Sequence, residues 1–208
     1  MAQEEQVLVV ERKVLEQAGM FQGLTFDVEQ YRRKLFAQGV PRFMPRSQAE
    51  TDPTHKQIIP YVIMTHDGKY LTYVRGKRAG ETRLVGHGSI GIGGHINPTD
   101  NDLPLFDKDF WNTYLAAVDR EVAEEVAVTT GYDPHIVALL NDDSNEVGQV
   151  HLGIVHLWIL HKPEVTKREQ MITQMAFMSL TELKEVRDTL ETWSRLCLDN
   201  LAEMTKRR

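Results

Sequence analysis

Glu121, Glu124 and Glu125 stand within one and a quarter helical turns of one another, beside Arg120. Spaced i, i+3 and i+4, their carboxylates project from one side of a helix. Three carboxylates held that close repel one another unless something positive lies between them. A shared divalent cation removes the repulsion, and oxygen-only ligands completed by water favour Mg²⁺, or Mn²⁺, over zinc. The alternative is an acidic surface helix, which like-charge pairs costing only about 0.2–0.5 kcal/mol each do not exclude. The rest of the helix argues for the cation. At about 100° per residue, Trp111, Leu115, Val118 and Val122 share one apolar face, and Glu125 projects close to it. A carboxylate beside a core face needs a partner or a raised pKa.

The elements that must position this helix are legible in outline. Val7–Val10 predict a first strand, and residues 28–37 predict a helix with Val28, Tyr31, Leu35 and Phe36 inward. Pro41, Pro45, Pro53 and Pro60 then argue for an ordered, wrapping loop that carries Arg42, Arg46, Glu50 and Lys56. Ile58–Thr65 and Tyr70–Arg75 read as a hairpin across Asp67-Gly68. Residues 84–96 hold Gly86, Gly88, Gly91, Gly93 and Gly94, a density that suits backbone approaching something closely. Asp107 or Asp109 is positioned to cap the acidic helix, which runs to about Val126. Strands are predicted at His135–Leu140, Gln149–His161 and Met175–Leu180. Ser179 or Thr181 caps a following helix, and Leu190–Met204 form the last one. Hairpins interrupt any βαβ alternation, so the pattern favours an α/β chain of the α+β type over a doubly wound parallel sheet.

Composition removes several functions. The net charge of -6 gives no basic footprint for a nucleic-acid duplex. Cys197 is the only cysteine, so no intramolecular disulfide forms, and its apolar helical neighbours mark it as a packed thiol. No apolar run approaches a membrane span, and Met-Ala-Gln-Glu-Glu is unlike a signal peptide, so a cytoplasmic protein is expected. His151 and His161 share strand parity and His156 opposes them; hydrogen-bonded structural roles are expected for all three.

The run Arg120-Glu121-Val122-Ala123-Glu124-Glu125-Val126-Ala127-Val128 resembles the second half of the Nudix box, Arg-Glu-U-x-Glu-Glu-x-Gly-U with U aliphatic. Gly93-Gly94-His95-Ile96 resembles the opening glycines of that box, and Phe177–Leu183 resembles the aromatic strand and Glu-Leu helix start of the family. More narrowly, residues 56–61, 89–96 and 151–155 are similar to a bacterial Nudix-related group described as predicted phosphoesterases. There are departures. Counted from Gly94, the box's first glutamate is replaced by Asp100; residues 101–119 make the stretch before Arg120 longer than the box; and Ala127 replaces its closing glycine.

The resemblance implies a Nudix-like α/β/α sandwich with a mixed sheet. An N-terminal strand-helix-loop extension, residues 1–57, would pack on a catalytic domain, residues 58–208. It implies a metal-dependent hydrolase that cleaves a phosphoanhydride, with Glu121, Glu124, Glu125 and the Gly93 carbonyl holding Mg²⁺ or Mn²⁺. Arg120 would orient the acidic cluster, and Glu169, before Glu164 or Glu146, would be the further base. Arg75, Lys77, Arg46 and His95 are the candidate substrate contacts. A homodimer is expected, with the extension packing across a two-fold axis. Two rivals compete: a catalytically inactive Nudix-fold module that binds a nucleotide or protein, and an isoprenoid diphosphate isomerase. The second wants a cysteine acid-base, and Cys197 is poorly suited to that.

Overall fold

The computed structural model of the protein describes residues 4–75, 87–100, 109–168 and 172–208. In chain order the strands are β1 (Gln6–Glu11), β2 (Gly23–Thr25), β3 (Arg42–Pro45), β4 (His55–His66), β5 (Lys69–Arg75), β6 (Gly88–Ser89), β7 (Gly91–Ile92), β8 (Val126–Val128), β9 (Tyr132–Asn141), β10 (His151–Leu160), β11 (Val165–Lys167) and β12 (Ile172–Ser179). The helices are α1 (Arg12–Gly19), α2 (Val28–Leu35), α3 (Arg46–Ala49), α4 (Phe110–Glu125), α5 (Glu146–Gln149), α6 (Leu180–Glu185) and α7 (Thr192–Met204). Among the described residues one sheet has hydrogen-bonded neighbours in the order β12-β5-β4-β10-β9-β2, while β8 and β11 form a separate pair. The α+β class with a mixed sheet is therefore the observed one.

The chain divides into two compact units, each assembled from three stretches. The first comprises the chain up to Pro60, Gly93–Arg120 and Ala138–Ile154. Its centre is β1, antiparallel to β3 on one side and to the start of β4 on the other. Val7, Leu8, Val9 and Val10 are all fully buried, because Val7 and Val9 pack on Ala49 of α3 while the opposite face is also covered. Each such side chain contributes roughly 1.5–3 kcal/mol through burial. The proline-rich segment is thus more regular than expected: it holds β3 and a single turn of helix. Pro45 is compatible with β3 because it closes an edge strand, where its missing N–H breaks no ladder.

Lys56 of β4 is fully buried in this unit. Its ammonium donates to Asp143 Oδ1 at 2.6 Å, the Gly148 carbonyl at 2.7 Å and the His151 carbonyl at 3.3 Å. Burial lowers its pKa, and Asp143, which also pairs with Arg12, opposes that shift.

The second unit comprises Tyr61–Ile92, Glu121–Val137 and Val155–Arg208. The hairpin β4–β5 turns at Asp67-Gly68 as expected, and β12 runs antiparallel to β5 from Ile172 to Ser179. Ser179 caps α6 in a reciprocal capping box with Glu182. From α7, Ser194 Oγ meets the Tyr61 hydroxyl at 2.8 Å, and Glu191 accepts from both Tyr61 and Ser89. Cys197 is fully buried and burial pushes its thiol pKa up, so it is a packing residue. β10 ends at Leu160; His161 lies beyond it with its side chain 58% exposed. No described helix is long and apolar enough to cross a membrane.

Candidate functional site

The acidic helix α4 starts where the sequence puts a cap. Asp109 accepts from the Trp111 N–H and the Asn112 side chain, both at 2.9 Å. The first turns are fixed by aromatic packing: Trp111 stacks on Tyr114 at 5.0 Å, Phe36 meets both rings edge-on, and Arg32 lies over the Trp111 ring. Buried positions along the helix are Thr113, Tyr114, Ala117, Val118, Val122 and Glu125. Leu115 was expected on the inward face and is 38% exposed instead. The reason is angular. At about 100° per residue the buried arc centres between Tyr114 and Val118, which leaves Leu115 at its margin. The same rotation carries Glu121 and Glu125 inside the arc; Glu121 is half-buried, Glu125 is 7% exposed and Glu124 is exposed.

Arg120 is tied to the glycine-rich segment. Its Nε donates to Asp100 Oδ1 at 2.5 Å, and its Nη2 donates to Asp100 Oδ2 at 3.0 Å and to the His95 carbonyl at 2.8 Å. Asp100 closes a 3-10 turn, Pro98–Asp100, and accepts the Asn97 N–H at 2.7 Å. Its side chain is 1% exposed. The long stretch before Arg120 therefore leaves this pairing intact.

Gly93 follows β7 and runs against β4. A Cβ on Gly93 would stand 2.3 Å from the Pro60 carbonyl oxygen, a backbone atom that cannot turn away. At Gly91 a Cβ would meet the Tyr61 ring at 2.2 Å. The close approach expected of these glycines is thus to the protein's own strand and ring.

The other end of α4 is held by features the sequence did not announce. The helix passes directly into β8, which pairs antiparallel with β11 so that Val126 faces Lys167 and Ala127 faces Thr166. An extended Ala127 needs no positive φ, which explains why the closing glycine of the box is dispensable. Arg168 then donates its N–H to the Glu125 carbonyl and its Nη1 to the Ala123 carbonyl, each at 2.9 Å. A cation on the last carbonyls of a helix complements its dipole.

The remaining candidates fall in different places. Glu169 and Lys77 lie outside the described residues, as does the side chain of Arg75. Arg46 pairs with Glu5 at 2.8 Å and with Glu50 at 3.3 Å. Glu164 is on the surface beside Lys162, and Glu146 is exposed at the start of α5. His95 is brought together with Glu50 and His151, whose potential ligand atoms all lie within 4.8 Å of one another. Burial pushes the His95 pKa down to about 3, with Arg46, His151 and Arg120 acting in the same direction. Sequence separation hid this grouping, since each residue stands on a different element.

The carboxylates of α4 suit a hard divalent cation. They offer oxygen only, and Glu125 sits on the inward arc, where an ionised carboxylate is favourable only with compensation.

The chain is 38% identical over 168 residues to Protein YmaB of Bacillus subtilis (strain 168), spanning 77% of this chain and 78% of that protein. Among solved structures it is similar to Tm1382, described as a candidate Nudix hydrolase, at 28% identity and a TM-score of 0.78 over 96% of this chain and 100% of that one. The NUDIX domain of Shewanella oneidensis NrtR, solved with ADP ribose, shares the fold at 13% identity and a TM-score of 0.51, over 73% of this chain and 86% of that chain. No protein-family model matches the chain.

Proposed function

The chain belongs to the Nudix superfamily, and on that premise we propose that it is a divalent-metal-dependent hydrolase that cleaves a phosphoanhydride, such as a nucleoside diphosphate linked to another moiety. The observation that carries this reading is the anchoring of α4. Asp100 grips Arg120 at one end of the acidic segment and Arg168 holds the carbonyls at the other, so Glu121, Glu124 and Glu125 project from a helix fixed on both sides of them.

In this reading Glu121, Glu124 and Glu125 hold Mg²⁺ or Mn²⁺, with the Gly93 carbonyl as a further oxygen donor. The cation, when bound, supplies charge neutralisation of the phosphate oxygens and a more acidic water. The chain's own residues do the rest. Arg120 orients the helix and does not touch substrate. Glu169 takes the proton of the attacking water as its oxygen bonds to phosphorus and the bridging oxygen leaves with the other phosphate. Arg168, one residue before it, is joined to the Glu125 carbonyl, which supports Glu169 over Glu164 or Glu146. Arg75 and Lys77 supply positive charge for the phosphates, with Arg46 and His95 as further candidate contacts. Residues 1–57 act as an extension of a catalytic domain at 58–208, and the protein acts as a homodimer. Incubation of nucleoside diphosphate-linked compounds, dinucleoside polyphosphates and nucleoside triphosphates with the full chain and Mg²⁺ tests the assignment by product release.

A further inference from the structure

Glu50, His95 and His151 come from three elements: the C-terminal end of α3, the segment after β7 and the first residue of β10. All three belong to the first compact unit, and none is among the carboxylates of α4. Two features distinguish the group from an ordinary buried hydrogen-bond network.

The first is the state of the two imidazoles. His151 is 7% exposed, and its Nδ1 lies 2.7 Å from the Val147 carbonyl, an acceptor only, so Nδ1 carries the proton and Nε2 keeps a lone pair. A backbone carbonyl that fixes the tautomer in this way is the usual second partner of a metal-ligating histidine. The backbone of His151 is held as well, because Lys56 donates to its carbonyl. His95 lies across from it with ring centroids 5.8 Å apart, and its Nε2 is buried without a hydrogen-bond partner among the described residues. Burial lowers the pKa of both rings.

The second is the carboxylate. Two facing neutral imidazoles have no need of Glu50, yet it is held beside them by Arg46, whose other partner is Glu5. Because Arg46 keeps Glu5 at 2.8 Å, Glu50 can turn from it without leaving the guanidinium unpaired.

We propose that Glu50, His95 and His151 form a second metal site, distinct from the carboxylates of α4, that takes a transition-metal dication of the Zn²⁺ class through two imidazole nitrogens and one carboxylate oxygen. The chemistry of the donors selects the ion: imidazole suits zinc and its neighbours, whereas Mg²⁺ prefers oxygen alone. Ligands at about 2.1 Å in a tetrahedral arrangement stand about 3.4 Å from one another. The three ligand atoms lie within 4.8 Å of one another, so binding would draw them together by up to about 1.4 Å. Three protein ligands leave the fourth position open. His95 then serves as a ligand in place of a direct substrate contact.

The test is a titration of the full-length, chelator-treated protein with Co²⁺ and then Zn²⁺ in excess Mg²⁺, which keeps the carboxylates of α4 occupied. Co²⁺ is read by its visible d–d bands and Zn²⁺ by calorimetry. One equivalent per chain is expected, with affinity about 100-fold or more weaker in His95→Gln and in Glu50→Gln, and unchanged in Glu124→Gln. Glu50 is only half-buried, so its variant keeps the test sound if His95→Gln folds poorly. Absence of stoichiometric Co²⁺ or Zn²⁺ binding would overturn the proposal, as would binding that survives both substitutions or is lost in Glu124→Gln.

Discussion

Asp100 and Arg120 form a two-point ion pair, Nε to Oδ1 at 2.5 Å and Nη2 to Oδ2 at 3.0 Å, with the aspartate side chain 1% exposed. The pair fixes the acidic helix to the turn after the glycine segment. Removing the carboxylate would take the two-point acceptor from a guanidinium that is only 28% exposed, leaving it the bond to the His95 carbonyl. Asp100→Ala is therefore expected to cost about 1–3 kcal/mol, below the full cost of breaking a buried pair because Arg120 retains some solvent. Asp100→Glu should cost less, since it keeps the charge. Urea denaturation of the two variants checks the order; equal stability of Asp100→Ala and the parent would refute it.

Gly93→Ala places a methyl 2.3 Å from the Pro60 carbonyl. The strand must shift to accept it, and overpacking of this kind costs about 1–3 kcal/mol. A melting temperature lowered by several degrees is the expected result. An unchanged melt would contradict the close approach of Gly93 to β4.

The outline of the fold was legible because its signals are local. Asp67-Gly68 between apolar runs needs only a turn, and Asp109 before an amphipathic helix needs only a cap. Other features depend on partners remote in sequence. β3 exists because β1 offers it a ladder, which overrides the prolines around it. β8 and β11 are too short to read alone and become strands by pairing with each other. The inward arc of α4 is set by what Phe36 and the rest of the unit cover, so Leu115 falls outside it while Glu125 lies on it as expected. Asp100 was legible as a departure from the box, but its grip on Arg120 was not, because the length of the intervening stretch gave no hint of where it returns.

His156 is 3% exposed on β10, and burial pushes its pKa down to about 4 from an ordinary value of 6.5. The native state thus binds this proton later than the unfolded chain does. Its neutral form contributes stability in full above about pH 6.5, and that contribution falls away as pH drops toward 4. Between pH 7 and pH 5 the parent should lose about 2 kcal/mol more than His156→Leu, at 1.36 kcal/mol per pH unit below the unfolded pKa. Denaturation curves at the two pH values measure this difference. Parallel losses would remove His156 as an acid-sensitive group.

The most direct test of the account is the initial rate of phosphoanhydride hydrolysis by the full chain in excess Mg²⁺, beside Glu124→Gln, which keeps the shape of the side chain and removes its charge. Turnover of at least one compound in the nucleotide panel is expected, abolished by a chelator and reduced about a hundredfold or more by the substitution. Nucleotide binding without turnover across the panel, or turnover that Glu124→Gln leaves untouched, would contradict the assignment of the α4 carboxylates as the hydrolytic centre.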